Sequence, residues 1–461
     1  MSKTPAPTEM AQKTVQRRVK VNVPYERFLD CVHCGLCINY CPTYVETGIE
    51  ADSPRGRIHL LRSLADGKLE FGSAVKSHLD LCLGCLACES ACPSGVHYRE
   101  IIEAGRELSR QHSAISPRRW AMERTLYNPD ALDAALQPLR LAGRFGLERA
   151  ARAVARRLPA GLGEMVALLP RLPPASLRRG IPSVIPAIGE KRASVGFLTG
   201  CVMSVLFTPT NLNTLKVLSA NGCEIRVPAG QRCCGSLAIH AGDLEGGLAI
   251  ARKLIDLFEP LNLSTIIVNS AGCGSVMKDY GHLFAADPVY AERAERFASS
   301  IKDVSEYLAG LPLKLPPDAG DRIRQFHPGQ SGPLRVTYHD ACHLAHGQKV
   351  RQQPRALIQQ IPGVELVELR DADWCCGSAG AYNLTQPEMA GKLLQRKVNY
   401  ILETGAEIVI SGNPGCSLQM ARGLREAGSS IRVMHTMDFL AAAYPDPEPG
   451  SRRARKQRSR T

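Results

Sequence analysis

Two cysteine runs with identical spacing lie between residues 31 and 93, and they constrain the fold of this 461-residue chain more than any other feature. Each run reads C-x2-C-x2-C-x3-C-P, from Cys31 to Pro42 and from Cys82 to Pro93. Thiolates three residues apart can wrap one face of an iron–sulfur cubane, and the fourth cysteine, beside proline, ligates the neighbouring cluster in two-cluster ferredoxins. The spacing therefore predicts a domain folded around two metal clusters.

The two runs are expected to exchange their fourth ligands between two [4Fe–4S] clusters. The first cluster is predicted to be bound by Cys31, Cys34, Cys37 and Cys92. The second is predicted to be bound by Cys41, Cys82, Cys85 and Cys88. Structural zinc is the alternative, but zinc sites usually come from two separated C-x2–4-C pairs. A tandem pair of clusters predicts electron transfer.

The second half of the chain contains an internal repeat, marked in both copies by Cys-Cys-Gly-Ser. The repeated cysteines are Cys201, Cys233, Cys234 and Cys273 in the first copy and Cys342, Cys375, Cys376 and Cys416 in the second. Because the same positions recur, we predict a third metal or thiol site at these cysteines. The alternative is that they are small buried hydrophobes, since free cysteine is among the most buried residue types.

Each copy alternates short β-branched runs with helical stretches. In the first copy, strands are predicted at Val195–Leu198, Glu224–Val227 and Ile266–Val268, and helices at Asn211–Asn221 and Leu244–Phe258. This alternation favours a parallel α/β sheet with right-handed crossovers. The cysteines follow the strands, so we expect them to converge at the carboxyl edge of the sheet, where such sheets bind ligands.

The predicted fold class is therefore a multidomain α+β chain, with a mostly α-helical two-[4Fe–4S] ferredoxin domain followed by two repeated α/β cysteine-rich domains. Helices at Pro54–Leu69, after Ser53 as a cap, and at Tyr98–His112 belong to the ferredoxin domain. The predicted bounds are 1–20 for a flexible tail, 21–115 for the ferredoxin domain, 116–192 for a basic helical connector, 193–310 and 334–445 for the cysteine-rich domains, and 446–461 for a basic disordered tail.

Four polar residues surround Cys342 without counterparts in the first copy. They are His339, Asp340, His343 and His346, and the first copy has Leu198, Thr199 and Val202 at the positions of the first three. We predict satisfied structural roles for them, with a proton relay or an additional ligand as the alternative. Cys223, which Val364 replaces in the second copy, is predicted to be a core residue.

The net charge of +13, from 57 Lys+Arg and 44 Asp+Glu, is concentrated in two segments. The connector contributes fourteen Lys+Arg against six Asp+Glu, and Ser451–Thr461 contributes six basic residues and no acid. A solvated helix face is the simpler interpretation of the connector, with an acidic partner or anionic lipid as the alternative. Base-stacking aromatic residues are scarce, so no nucleic-acid partner is expected.

Neither a bilayer-spanning apolar stretch nor an apolar signal-peptide core stands out in the sequence. We therefore expect a cytoplasmic protein in a reducing compartment, where clustered cysteines bind metal rather than form disulfides. No Gly-rich dinucleotide fingerprint or P-loop stands out either, so we expect FAD only on partner subunits, which must extract the electrons from the substrate.

The order of these motifs resembles the iron–sulfur subunit of glycolate dehydrogenase, also called glycolate oxidase, over residues 25 to 440. The segments that carry the resemblance are Cys31-Val-His-Cys-Gly-Leu-Cys, Cys41-Pro-Thr-Tyr, Pro54-Arg-Gly-Arg-Ile, Cys92-Pro-Ser-Gly-Val, Ser270-Ala-Gly-Cys-Gly and Cys375-Cys-Gly-Ser-Ala-Gly. Iron–sulfur subunits of lactate utilisation, of anaerobic glycerol-3-phosphate dehydrogenase and of heterodisulfide reductase share the architecture.

The resemblance implies an electron-transfer subunit. FAD-containing partner subunits would oxidise glycolate to glyoxylate, and this chain would pass the electrons to a quinone or another acceptor, placed peripherally on the inner face of the cell membrane. The same architecture serving lactate or glycerol-3-phosphate is the nearest alternative, and a nucleic-acid-binding metal–cysteine protein is a remote one.

The chain departs from the heterodisulfide reductase pattern at the last motif of each copy. That pattern ends in C-x-x-C, whereas Val276 and Gln419 stand three residues after Cys273 and Cys416. A complete non-cubane cluster in each copy is therefore not expected. The alternatives are one further cluster shared by the two copies, a redox-active disulfide, or neither.

Overall fold

The computed structural model describes residues 20–114, 116–147, 150, 153–154, 162–329 and 331–446. The predicted tails at 1–20 and 446–461 therefore fall outside the described residues, except for Lys20 and Asp446. Parts of the predicted connector do so as well.

The cysteine runs of the ferredoxin domain lie in loops between short helices. The helices are Glu26–Leu29, Pro42–Thr47, Pro54–Ala65, Ser73–Asp80, Ala87–Ser90 and Tyr98–Gln111, with 3-10 turns at Ile38–Tyr40 and Glu50–Asp52. The Ser53 side chain caps the central helix by accepting from the Gly56 N–H at 3.0 Å. That helix ends at Ala65, before the predicted Leu69, because Gly67 adopts a left-handed φ of 72°.

The described connector helices include some that contact the first cysteine-rich copy and one that contacts the second. They are Pro117–Leu126, Pro129–Ala135, Gln137–Arg144, Leu162–Leu168 and Ala175–Arg179. Leu132 and Leu136 contact Val205 and Leu206 of the first copy in one apolar cluster. The helix Leu162–Leu168 contacts the helix Pro414–Glu426 of the second copy, so the described part of the connector lies against both copies.

In the described residues, nine strands form two sheets with the same internal order. The strands are β1 (Val184–Ile185), β2 (Ala193–Phe197), β3 (Cys223–Arg226), β4 (Ile266–Val268), β5 (Ile301–Asp303), β6 (Leu334–Tyr338), β7 (Val364–Val367), β8 (Ile408–Ser411) and β9 (Arg432–His435). The first sheet has the order β1-β3-β2-β4-β5 and the second β7-β6-β8-β9. All pairs are parallel except β1 with β3, which confirms the predicted parallel α/β copies.

The helices of the cysteine-rich domains cross between these strands. In the first copy and the link that follows they are Val202–Leu206, Thr208–Ala220, Ser236–His240, Leu244–Phe258, Ala271–Met277, Tyr280–Leu283, Ala291–Ser300, Val304–Ala309 and Ala319–Ile323, with 3-10 turns at Glu259–Leu261 and Arg324–Phe326. In the second copy they are Gln352–Gln359, Tyr382–Thr385, Pro387–Glu403, Pro414–Glu426 and Thr436–Ala442, with a π-helical turn at His343–Gly347. The helix predicted at Asn211 begins earlier, at Thr208, because Pro209 suits the first helical turn.

One apolar core runs through both cysteine-rich copies. Val195 and Phe197 of the first sheet and Val336 and Ile408 of the second belong to the same buried cluster. The ferredoxin domain contacts both copies, since Arg99 Nη2 donates to Ser275 Oγ at 2.9 Å and Tyr382 Oη donates to the Leu81 carbonyl at 2.8 Å. This packing holds the cysteine loops of all three domains close together.

Candidate iron–sulfur and thiol sites

The cysteines predicted for the first cluster line a single open cavity near the surface. They are Cys31, Cys34, Cys37 and Cys92, and the Cys34 side chain is exposed. The loop closes tightly because Gly35 has a φ of +83°, and a Cβ there would lie 3.0 Å from Arg55 Nη1. The loop geometry therefore leaves room for a bulky group among four thiols.

The cysteines predicted for the second cluster line another cavity. They are Cys41, Cys82, Cys85 and Cys88. Cys88 also lines the first cavity, so the two cavities adjoin. The folded chain thus groups the eight cysteines in the exchanged arrangement expected from their spacing, while their ligation itself stays a prediction.

Burial disfavours the free thiolate form of several of these cysteines. Burial raises the pKa of Cys88 well above its usual value, and burial followed by the Cys31 thiol raises the pKa of Cys37 to about 11. Burial also opposes ionisation of Cys82, but the Arg57 and Arg106 guanidinium groups lower the pKa of its thiol below its usual value. The thiols whose pKa is raised, those of Cys31, Cys37, Cys85 and Cys88, would become thiolates more readily beside a cation, and cluster iron would supply that charge.

The first cysteine-rich copy brings its four cysteines together in a largely apolar setting. Cys201 Sγ lies 3.6 Å from Cys233 Sγ, and Cys233 and Cys273 flank Cys234. Leu198 and Ile239 belong to the same buried cluster. The expected convergence of these cysteines at the carboxyl edge of the sheet is confirmed for this copy.

The second copy gathers Cys342, Cys375, Cys376 and Cys416 in the same way. Cys375 lies between Cys342 and Cys376, and Cys376 also contacts Cys416. The Asn413 side-chain amide donates to Cys416 Sγ at 3.4 Å. Each copy thus assembles its own group of four thiols, and all seventeen cysteines are free of disulfides in the structure.

The thiol group of the second copy adjoins the second ferredoxin cavity. Burial raises the pKa of Cys85 well above its usual value, and among its charged neighbours the Cys342 thiol contributes most to this rise. His343 Nε2 lies 3.0 Å from the Gly84 carbonyl, in the same ferredoxin loop. The three sites that include Cys34, Cys85 and Cys342 therefore follow one another from the surface inward.

The predicted structural roles hold for three of the four polar residues around Cys342. His343 contacts the ferredoxin loop, His346 lies 3.0 Å from Arg351, and Asp340 pairs with Arg355 at 2.8 Å. His339 is the exception, because neither ring nitrogen has a hydrogen-bond partner although the residue is 1% exposed. Its ring lies against Cys376 and Cys416 instead.

Two buried cations near the thiols did not emerge from the sequence patterns. Arg57 is fully buried and donates to the His78 carbonyl at 2.7 Å and to Thr43 Oγ1 at 3.0 Å. Lys397 is fully buried and donates to the carbonyls of Asp371 and Ala372. The available signal for Lys397 was a lysine interrupting the apolar face of the helix Pro387–Glu403, since such a residue almost never lies inside unless it is paired.

Exposed apolar side chains are concentrated in the segment that carries the first cysteine run. Seven of the sixteen exposed large hydrophobic side chains in the described residues lie between positions 25 and 49. They are Tyr25, Leu29, Val32, Leu36, Tyr40, Val45 and Ile49, which we call the apolar collar. Such a concentration is typical of a protein–protein contact surface.

Cavities lined by two sets of four cysteines, joined to paired α/β cysteine-rich domains, define the class of iron–sulfur electron-transfer subunits. The 4Fe-4S dicluster domain family matches residues 27–96, which confirms the prediction of two [4Fe–4S] clusters. The cysteine-rich domain family matches residues 195–278 and 336–421, one match in each copy.

Similarity to curated proteins identifies the family of the chain more narrowly than the domain matches do. It is 37% identical over 446 residues to the "Probable glycolate oxidase iron-sulfur subunit" of Bacillus subtilis, covering 95% of this chain and 98% of that protein. It is 33% identical over 420 residues to the glycolate oxidase iron-sulfur subunit of Escherichia coli, covering 90% and 93%. The chain belongs to the family of glycolate oxidase iron–sulfur subunits. The lactate utilization protein A of Exiguobacterium is 29% identical, but the match covers only 54% of this chain and 96% of that protein.

Within the described ranges, every helix is too short or too polar to cross a membrane.

Proposed function

We propose that this chain is the electron-transfer subunit of a glycolate dehydrogenase complex. FAD-containing partner subunits oxidise glycolate to glyoxylate, and the electrons leave through this chain to a quinone or another acceptor. The observation that carries the proposal is the succession of adjoining cysteine sites from the exposed Cys34 inward to Cys342. Each [4Fe–4S] cluster supplies one-electron transfer when bound.

The ligand sets of the proposal are those that share a cavity. Cys31, Cys34, Cys37 and Cys92 hold the first cluster, and Cys41, Cys82, Cys85 and Cys88 hold the second. The cysteine-rich groups form a further metal or thiol site on the inner side of this path. The fully buried Arg57 places a guanidinium 3.9 Å from Cys41 Sγ and offsets part of the negative charge that a thiolate-bound cluster brings.

The apolar collar is the proposed contact surface for the flavin-containing subunit. It belongs to the same segment as the exposed Cys34, and electrons cross a protein interface best where the two redox groups approach most closely. Contact between partners would also cover side chains such as Val32, which is 66% exposed. We place the complex in the cytoplasm, peripherally on the inner face of the membrane, where a quinone is within reach.

Glycolate is favoured over lactate as the substrate of the complex by the extent of the similarity. The two glycolate oxidase subunits match nearly the whole chain, including the connector region, whereas the lactate utilization proteins match about half of it. The substrate is bound by the partner subunits, so purified complex should be assayed with glycolate, lactate and glycerol-3-phosphate in parallel. Faster turnover of either competitor than of glycolate would reject the substrate assignment.

Cys34→Ala in the assembled complex tests the relay. We expect it to remove the first cluster, about four irons per chain, and to stop glycolate-dependent quinone reduction. Reduction of an artificial dye by the flavin subunits should persist at least in part. Cys223→Val is the matched control, because Cys223 is a fully buried cysteine outside the cysteine-lined cavities and Val364 fills its place in the second copy. Normal quinone reduction by the Cys34 variant would refute the relay.

A further inference from the structure

The two cysteine-rich copies differ in the residues that face their thiol groups. His339 directly follows β6 and Leu198 directly follows β2, so the two occupy equivalent positions. In the second copy an imidazole therefore lies beside the thiols. The first copy has the leucine side chain at this position, and it packs with Cys201 and Cys233.

A second replacement of the same kind lies on the following crossover helix. A Cβ on Gly235 would lie 2.6 Å from the Gly247 carbonyl, and one on Gly377 would lie 2.6 Å from the Ala390 carbonyl, which aligns the two helices. Seven residues after Gly247 the first copy has Leu254, and seven residues after Ala390 the second copy has Lys397. Both are buried, at 2% and 0% exposure. The thiol group of the second copy is therefore accompanied by two nitrogenous side chains that the first copy lacks.

The His339 ring lies at a distance from two thiols that suits a shared metal ion. One of its ring nitrogens lies within 4.8 Å of both Cys376 Sγ and Cys416 Sγ, and these two sulfurs lie within the same distance of each other. Neither ring nitrogen has a nitrogen or oxygen partner within hydrogen-bond distance, and the ring interacts with the Cys376 thiol instead. Its backbone is fixed, since its N–H donates to the Ile410 carbonyl at 2.8 Å. A metal ion would satisfy the ring and neutralise the thiolates together.

We propose that the second cysteine-rich domain binds an iron centre through the His339 imidazole together with the thiolates of Cys376 and Cys416, and that the first domain lacks such a centre. Cys342 and Cys375 complete the thiol group, and the Lys397 ammonium offsets part of its negative charge. The choice of iron rests on the proposed function, because Cys342 adjoins the second ferredoxin site; the imidazole ligation rests on the geometry alone. Imidazole in place of thiolate raises the reduction potential of an iron–sulfur centre, which suits a terminal acceptor.

Pulsed EPR on the anaerobically purified full chain tests the ligation directly. We expect a strongly coupled histidine nitrogen whose signal changes when the protein is labelled with 15N-histidine, because the eight ferredoxin ligands are cysteines. His339→Leu, which copies the first domain, should abolish this coupling and lower the iron content. His339→Cys should retain iron and lose the coupling. His346→Gln, a buried histidine of the same domain that contacts Arg351 and Asp373, is the matched control and should retain both.

The outcomes separate this inference from the proposed function. A wild-type spectrum without histidine nitrogen coupling, or a coupling that survives in both His339 variants, would overturn the ligation. Zinc bound in place of iron would overturn the choice of metal. If instead the coupling depends on His339 but Cys34→Ala leaves quinone reduction intact, the proposed relay fails while the metal site stands.

Discussion

Arg57 is a charged side chain that the ferredoxin domain buries completely, and its partners lie on three different segments. It contacts the His78 carbonyl, Thr43 and, at 3.8 Å, the buried carboxylate of Asp52. Arg57→Gln should therefore destabilise the domain by roughly 3–5 kcal/mol, because it removes a buried guanidinium from all three partners and leaves the His78 ring, 2.8 Å away, as the partner of the Asp52 carboxylate. Thermal unfolding of the loaded protein measures this loss, and Arg324→Gln, whose side chain is 81% exposed, is the control. Equal unfolding midpoints for the two variants would contradict the role given to Arg57.

Asp303 caps the helix Val304–Ala309 from a buried position, and burial raises the pKa of its carboxyl to about 6. An unfolded aspartate titrates near pH ~3.9. The folded chain therefore holds a proton that the unfolded chain releases, and this contribution to stability, present below pH ~4, is lost as pH rises to about 6. Asp303→Asn keeps the cap but cannot ionise, so its unfolding midpoint should rise relative to wild type across that window. A pH-independent difference in midpoint would contradict this assignment.

At the residue scale, the sequence predicted which residues lie together where their spacing determines the local geometry. The eight ferredoxin cysteines share cavities as their spacing indicates, because three-residue intervals and an adjacent proline dictate local geometry. Arg57, Lys397 and the unpaired ring of His339 escaped prediction. Burial of a charge or of an imidazole depends on which distant segments pack against it, and apart from the lysine on the apolar face of the helix Pro387–Glu403 these residues carry no local signal for that packing.

At the scale of elements, alanine substitutions at two helical glycines are expected to change the stability of the protein in opposite directions. A Cβ at Gly56, in the helix Pro54–Ala65, would lie 2.0 Å from the Glu50 carbonyl, whereas one at Gly391, in the helix Pro387–Glu403, would meet nothing within 4 Å. Gly56→Ala should displace the 3-10 turn at Glu50–Asp52 and lower both stability and iron content. Gly391→Ala should stabilise by roughly 0.5–1 kcal/mol, because alanine loses less backbone entropy in a helix. Unfolding midpoints that move in the same direction would refute this contrast.

Most elements of the cysteine-rich copies were predictable because the hydrophobic period and the length of each segment indicate the same type of secondary structure. The helix Leu244–Phe258 and the strand Ile266–Val268 have the predicted bounds. The antiparallel edge strand β1, only two residues long, was not predicted, since Val184–Ile185 is too short to show a period and becomes a strand only by pairing with β3. The π-helical turn at His343–Gly347 was likewise missed, since it depends on contacts with other domains.

At the scale of the whole molecule, duplication has produced two similar sheets with different chemistry. The shared core fixes the copies against each other, and the Asp438 carboxylate accepts from Thr210 at 2.8 Å and from Asn213 at 2.9 Å across the boundary. Only the second copy places a thiol next to the ferredoxin loops, through Cys342 and Cys85. Substitutions that change electron transfer can therefore accumulate in the second copy, while the thiol group of the first copy keeps its apolar surroundings.

The apolar collar makes a prediction about assembly that the intact complex can test. Leu36 lies two residues from Cys34 and is 57% exposed, so a partner docked over the first cavity should bury it. Leu36→Glu places an unpaired charge in that contact, and we expect at least a tenfold weaker association with the flavin-containing subunits, roughly 1.4 kcal/mol. Iron content should stay at the wild-type value, because the backbone around the cluster ligands is unchanged.

Val289→Glu is the matched control for that prediction, because Val289 is 64% exposed but lies in the first cysteine-rich copy, outside the apolar collar. Binding of immobilised flavin subunits to each loaded variant gives the comparison. If Val289→Glu weakens association as much as Leu36→Glu, the contact lies on the cysteine-rich face and electrons must reach the chain from that side. If only Leu36→Glu weakens it, the electrons are delivered at Cys34 and travel inward, because the partner then covers the only exposed cysteine in the structure.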